Sequence, residues 1–168
     1  MKYYRYAAYG SNLHPQRLQR RVSSAKLLGT GFLPGYQLKF HKRSSIDGSG
    51  KCNILEGGPG VYVAIYEITE AERAILDECE GVGVGYDRHE IHLGEPGVCS
   101  TYVALSSAID ESLTPIHWYK EYVLRGACYH RFPSEYIASI ERQGAIADPD
   151  RDRAALEWKL IRELKDGS

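Results

Sequence analysis

The stretch Tyr3-Tyr4-Arg5-Tyr6-Ala7-Ala8-Tyr9-Gly10-Ser11-Asn12-Leu13 decides how this chain is read. Its first part is aromatic-rich and reads as a strand over residues 2–8 that ends at Gly10. Gly10 permits backbone angles that other residues avoid, and it leaves no Cβ to obstruct a ligand. Ser11 and Asn12 carry side chains suited to capping a helix. Pro15 fits the first turn of one running through residues 15–21. Strand, tight turn and short helix thus follow one another directly.

Outward from there, the first half continues mainly as strands. Residues 31–40 carry Phe32, Tyr36, Leu38 and Phe40 in partial alternation, and residues 60–68 set Val61, Val63 and Ile65 on one face. Residues 86–93 alternate as well, and 101–105 form a shorter candidate. Residues 47–50 and 56–60 are Gly-rich turns. Helices follow. Thr69 and Glu72 have the spacing of a capping box ahead of Ala74, Ile75 and Leu76, with Gly81 as the stop. Further helices are expected from Thr114–Pro115 to about Ala127, from Ser134 towards Gly144, and from Asp148–Pro149 onwards. Strands first and helices later argue for an α+β fold, its sheet antiparallel or mixed and closed into a small barrel. A doubly wound parallel fold needs an alternation that is missing. One domain over residues 1–168 is expected, with 148–168 a helical extension that packs on it or binds a partner.

Composition narrows the function. Of 168 residues, 43% are hydrophobic and 26% charged, ordinary for a globular protein, and the formal net charge is −1. That balance offers no footprint for nucleic acid or an acidic membrane, and the basic run His41-Lys42-Arg43 is too short to change it. Cys52, Cys79, Cys99 and Cys128 form no closely spaced pair, so no metal framework is read. Without an apolar leader or a run of ~20 apolar residues, the expected setting is a reducing cytoplasm.

Two segments could carry chemistry. Tyr6-Ala7-Ala8-Tyr9-Gly10-Ser11-Asn12 is a strand entering a turn whose N–H groups can hold a carboxylate or an oxyanion; the plainer reading is a turn and a helix cap. Leu76-Asp77-Glu78-Cys79-Glu80-Gly81-Val82 closes a helix, where the dipole and two neighbouring acids disfavour ionisation of Glu80. That direction suits a proton-transfer residue; a solvated acidic helix end is the plainer reading. Other groupings are weaker. Gly48-Ser49-Gly50-Lys51 lacks the spacing and the Ser/Thr of a phosphate loop. His89 and His92 point to opposite faces of a strand. Acidic neighbours do not activate the Cys79 thiol, and Trp118, Tyr119, Tyr122 and Trp158 read as packing residues.

Taken together, the two segments resemble the γ-glutamylcyclotransferases. Tyr9-Gly10-Ser11-Asn12-Leu13 is similar to that family's YGSNL signature, and residues 76–82 to its segment bearing the catalytic glutamate. Tyr86 opening a strand, and Tyr119 within residues 115–127, extend the likeness over roughly residues 3–145. The resemblance implies a small mixed β-barrel flanked by helices, with a pocket at one end. It further implies release of an amino acid or amine from a γ-glutamyl compound with formation of 5-oxoproline. Glu80 would be the catalytic acid/base, and Tyr6, Ala7, Ala8, Tyr9, Gly10, Ser11, Asn12, Tyr86 and Tyr119 would bind the small-molecule substrate. No metal or other cofactor is called for, and no nucleic acid or membrane partner. A cyclotransferase that deprotects a γ-glutamylated biosynthetic intermediate, and a binding module of the same fold without turnover, stay open, as does the oligomeric state.

Overall fold

In the computed structural model, which describes residues 1–167, strand β1 (Tyr3–Ala8) lies at the centre of a five-stranded mixed sheet. It runs antiparallel to β5 (Val61–Thr69) and parallel to β7 (Gly97–Ala104). β2 (Lys26–Leu33) and β6 (Tyr86–Leu93) complete the order β2-β5-β1-β7-β6. β3 (Tyr36–Arg43) and β4 (Gly50–Glu56) form a separate two-stranded ribbon. The helices are α1 (Pro15–Gln19), α2 (Arg73–Glu80), α3 (His117–Tyr129), α4 (Ser134–Glu141) and α5 (Arg151–Arg162). The α+β reading holds. The sheet curls without closing its ladder: β2 and β6 each have one strand partner and meet through side chains. A Cβ placed on Gly31 of β2 would lie 3.3 Å from Leu93 Cδ1 of β6.

The single strand expected over residues 31–40 is two strands belonging to different sheets, separated by a turn at Pro34-Gly35 in which Gly35 adopts φ 78°. β4 was not foreseen. Its Cys52, Asn53 and Ile54 are buried in succession, so the alternation that betrays a half-exposed strand is absent. Asn53 bolts the ribbon to the main sheet, its Oδ1 accepting from the Ala104 N–H at 2.8 Å.

Helix ends depart from the sequence reading in instructive ways. His14 caps α1, its Nδ1 accepting from the Gln16 N–H at 3.2 Å, which frees Ser11 and Asn12 from that task. No capping box forms before α2. A 3₁₀ turn at Glu70–Glu72 leads in, and the Glu72 carboxylate instead accepts from the Ser24 N–H at 2.8 Å and the Ser23 hydroxyl at 3.0 Å. Gly81 does stop α2, in the left-handed conformation with φ 67°. No helix among the described residues is long and apolar enough to cross a membrane.

α5 packs against α3 and buries Ile161 in the core. The Tyr122 hydroxyl donates to Glu157 at 2.7 Å. Asp148 anchors the lead-in, accepting from Arg153 Nε at 2.7 Å and from the Trp118 indole at 2.8 Å. These hydrogen bonds, Arg153 first, hold its carboxyl at about 2, below the ordinary 3.8. A depressed carboxyl stabilises the fold above its unfolded value and loses that contribution as pH falls through the folded one. Asp148→Asn should therefore lower the melting temperature by a few degrees at pH 7, the gap to wild type closing between about pH 4 and pH 2. Parallel pH-melting curves check this.

Candidate active site

Glu80 is the last residue of α2, and the turn at Gly81 leaves its side chain facing the YGSN loop. Its Oε1 accepts from Asn12 Nδ2 at 2.9 Å and from an Arg21 guanidinium nitrogen at 3.1 Å. Asn12 Nδ2 also reaches the Tyr6 hydroxyl at 3.2 Å. The Glu80 and Arg21 side chains retain 14% and 24% exposure, so the pair is shielded yet open to a ligand. Asn12 Oδ1 is buried with no partner among the described residues. Asp77 turns away, accepting from the Tyr102 hydroxyl at 2.8 Å. The acidic helix end read from the sequence is therefore balanced by a cation that local sequence does not reveal.

The loop beside this carboxylate is rich in unused donors. Among the described residues, the backbone N–H groups of Gly10, Ser11 and Asn12 make no hydrogen bond, whereas that of Leu13 closes the turn onto Gly10 O at 3.1 Å. Buried backbone N–H groups are nearly always paired, so three consecutive free ones form a ready anion cradle. Two cavities adjoin here. An inner one of about 30 Å³ is lined by Tyr6, Tyr9, Gly10, Asn12, Cys52 and Tyr102, and an outer one of about 280 Å³ opens towards β3, α3 and α5. Ser11, Glu80, Tyr86 and Tyr119 line both, so Glu80 stands at their junction.

The inner wall is held by phenols. Tyr119 Oη accepts from the Cys52 N–H at 2.9 Å and Tyr86 Oη donates to the Cys52 carbonyl, so two tyrosines clasp one residue of β4. Tyr9 Oη donates to the Tyr102 carbonyl. Burial pushes Tyr6, Tyr9, Tyr86 and Tyr119 well above the ordinary tyrosine range, so each stays a neutral hydrogen-bonding group. The Cys52 thiol is likewise pushed by burial, up to about 12, which removes it as a nucleophile near neutrality.

Comparison with known proteins bears on this arrangement of loop and glutamate. The chain is 30% identical to a γ-glutamylcyclotransferase of Mus musculus, across 88% of this chain and 85% of the mouse protein. It is 29% identical to that of Homo sapiens, across 81% and 76%. The chain belongs to the γ-glutamylcyclotransferase family. The model of the AIG2-like family matches residues 60–140. A solved γ-glutamyl cyclotransferase superposes with a TM-score of 0.81 over 94% of this chain and 99% of its own, at 23% identity, which extends the likeness to the whole fold.

Within this γ-glutamylcyclotransferase fold, Tyr6, Tyr9, Gly10, Ser11, Asn12, Tyr86 and Tyr119 line the two cavities that meet at Glu80. Ala7 and Ala8 do not: both are fully buried in β1 and line neither cavity. Gly10 also needs a different reason. A Cβ there would lie 2.9 Å from Cys52 Cβ and 3.5 Å from Tyr119 Oη, so the missing side chain admits β4. The sequence reading missed Arg21 and Lys42. Both Arg17 and Arg21 line the outer cavity, but α1 ends at Gln19 and Arg21 sits in the turn beyond it, so helical spacing gave no signal that it meets Glu80. For Lys42 there was none either.

Proposed function

We propose that this chain is a cyclotransferase that closes the γ-glutamyl group of a small molecule to 5-oxoproline and releases the attached amino acid or amine. The observation that carries the reading is the Glu80 carboxylate, fixed by Asn12 and Arg21 at a cavity junction beside three unpaired N–H groups. The substrate's α-amine and γ-carbonyl belong to one molecule, so the protein must fold the substrate rather than unite two reactants. Glu80 takes a proton from the α-ammonium. The freed amine attacks the γ-carbon, and the loop N–H groups receive the oxyanion. Breaking the old C–N bond then completes the exchange, and two of the ammonium's three protons end on the departing nitrogen by way of Glu80. The neutral phenols of Tyr6, Tyr9, Tyr86 and Tyr119 supply polar but uncharged walls. All four cysteines are unpaired, which suits activity in a reducing cytoplasm.

The experiment is 5-oxoproline release from γ-glutamyl dipeptides, γ-glutamylamines and glutathione, with Glu80→Gln in parallel. Product formed by the wild type and lost in the variant supports the reaction and names the leaving-group class. Saturable binding without product from any compound would replace it with a binding module.

A further inference from the structure

An irregularity in the β3–β4 ribbon places Lys42. Pairing is regular from Tyr36–Glu56 to Lys39–Asn53, then the register shifts so that Lys42 lies opposite Lys51. One residue more on β3 than on β4 is a bulge, a device that re-aims side chains. Phe40, His41 and Lys42 are consequently buried in succession, where strict alternation would turn one outward.

Lys42 is 7% exposed and lines the outer cavity but not the inner one. Its ammonium sits 4.5 Å from the centroid of the Tyr86 ring, and no hydrogen bond or ion pair reaches it among the described residues. Gly85 makes room: a Cβ there would lie 2.5 Å from Lys42 Cε and 2.6 Å from Nζ. Every other cation of the cavity wall has a carboxylate. Arg17 meets Glu157 at 3.7 Å, Arg21 meets Glu80 at 3.1 Å, Lys51 meets Asp47 at 3.0 Å, and Arg153 meets Asp148. Burying an ammonium without a counter-charge is costly, and an aromatic face offsets only part of the cost. Burial accordingly holds Lys42 below the usual lysine range, although Glu80 favours its charged form from beyond ion-pair distance. A buried cation on a cavity wall, with no carboxylate within ion-pair reach, is suited to receive an anion.

Two anion sites therefore flank Glu80, the loop N–H groups on the inner side and Lys42 on the outer side. Resting on the reaction above, we propose that Lys42 is the specificity-determining residue of the outer cavity, its ammonium receiving a carboxylate carried by the amine that is released. The loop serves the glutamyl part. A substrate with a carboxylate beyond the scissile amide satisfies both sites, whereas a plain γ-glutamylamine leaves Lys42 unpaired.

The test compares γ-glutamylalanine with γ-glutamylethylamine, which differ by one carboxylate. Wild type should favour the first in kcat/KM. Lys42→Met, which keeps the aliphatic stem over Tyr86, should collapse that ratio by roughly tenfold to a hundredfold, mainly through KM. Lys42→Arg should retain most of it. Gly85→Ala is the positional control: it keeps the charge, displaces the ammonium, and should also reduce the ratio. A ratio unmoved by Lys42→Met and Gly85→Ala overturns the proposal. Equal losses on both compounds overturn it too, because Lys42 would then serve the glutamyl part common to both. If wild type turns over neither compound, the reaction itself fails, and calorimetric binding of the same pair decides separately. A wild-type preference for the carboxylated compound that is lost in Lys42→Met keeps Lys42 as an anion receptor, and equal affinities remove it.

Discussion

Glu80→Gln is expected to yield a folded protein that still binds substrate yet turns it over about 10²–10⁴-fold more slowly. Glutamine preserves the shape of the side chain and leaves an oxygen to accept from Asn12 and Arg21, so the loop keeps its position. What disappears is the group that receives the α-ammonium proton. KM should change little, since the anion cradle is untouched and glutamine keeps the shape of the cavity wall, and the loss should fall on kcat. Arg21 loses its counter-charge but is partly exposed, so water covers much of the deficit and only a modest drop in melting temperature follows. Steady-state 5-oxoproline release beside a circular-dichroism melt separates these effects. A folded variant with full kcat would remove Glu80 from the mechanism.

Gly126→Ala carries the largest expected effect on stability. Alanine inside a helix ordinarily gains about 1 kcal/mol over glycine. At this position in α3, however, a Cβ would lie 2.3 Å from Leu13 Cβ and 3.0 Å from the His14 nitrogen. Leu13 cannot simply retreat, because its carbonyl accepts from both Tyr66 Oη and His130 Nε2 at 2.6 Å. Either α3 lifts or the loop shifts, and overpacking of this kind costs about 1–3 kcal/mol. The net expectation is a melting temperature lower by several degrees. Turnover should fall as well, since Leu13 adjoins Asn12 and Asn12 orients Glu80. A higher melting temperature would show that the added methyl is absorbed and that α3 does not brace the loop.

The legible parts of this molecule are those governed by neighbours in sequence. β1 and the turn after it, the Gly81 stop of α2, and β6 all follow from alternation or from residues with special backbone behaviour. β4 was hidden because burial on both faces erases alternation. Local features read Asn12 as a helix cap and only the family resemblance placed it in the site, since nothing local says that His14 takes the capping task and leaves Asn12 for Glu80, 68 residues away. Arg21 reaches Glu80 across 59 residues, and Lys42 is aimed by a bulge whose cause lies in pairing with a strand the sequence did not disclose. Composition named the kinds of residue; only packing decided which of them face one another.

The junction between β2 and β6 has a dynamic consequence. Side chains such as Leu93 close it, not a ladder, so it can part without breaking a single interstrand hydrogen bond. Leu93 lies at the opposite end of β6 from Tyr86, which lines the cavity. Breathing at this seam would leave the site undisturbed, and deuterium should enter the outward-facing amides of β2 well before those of β1, buried at the sheet's centre.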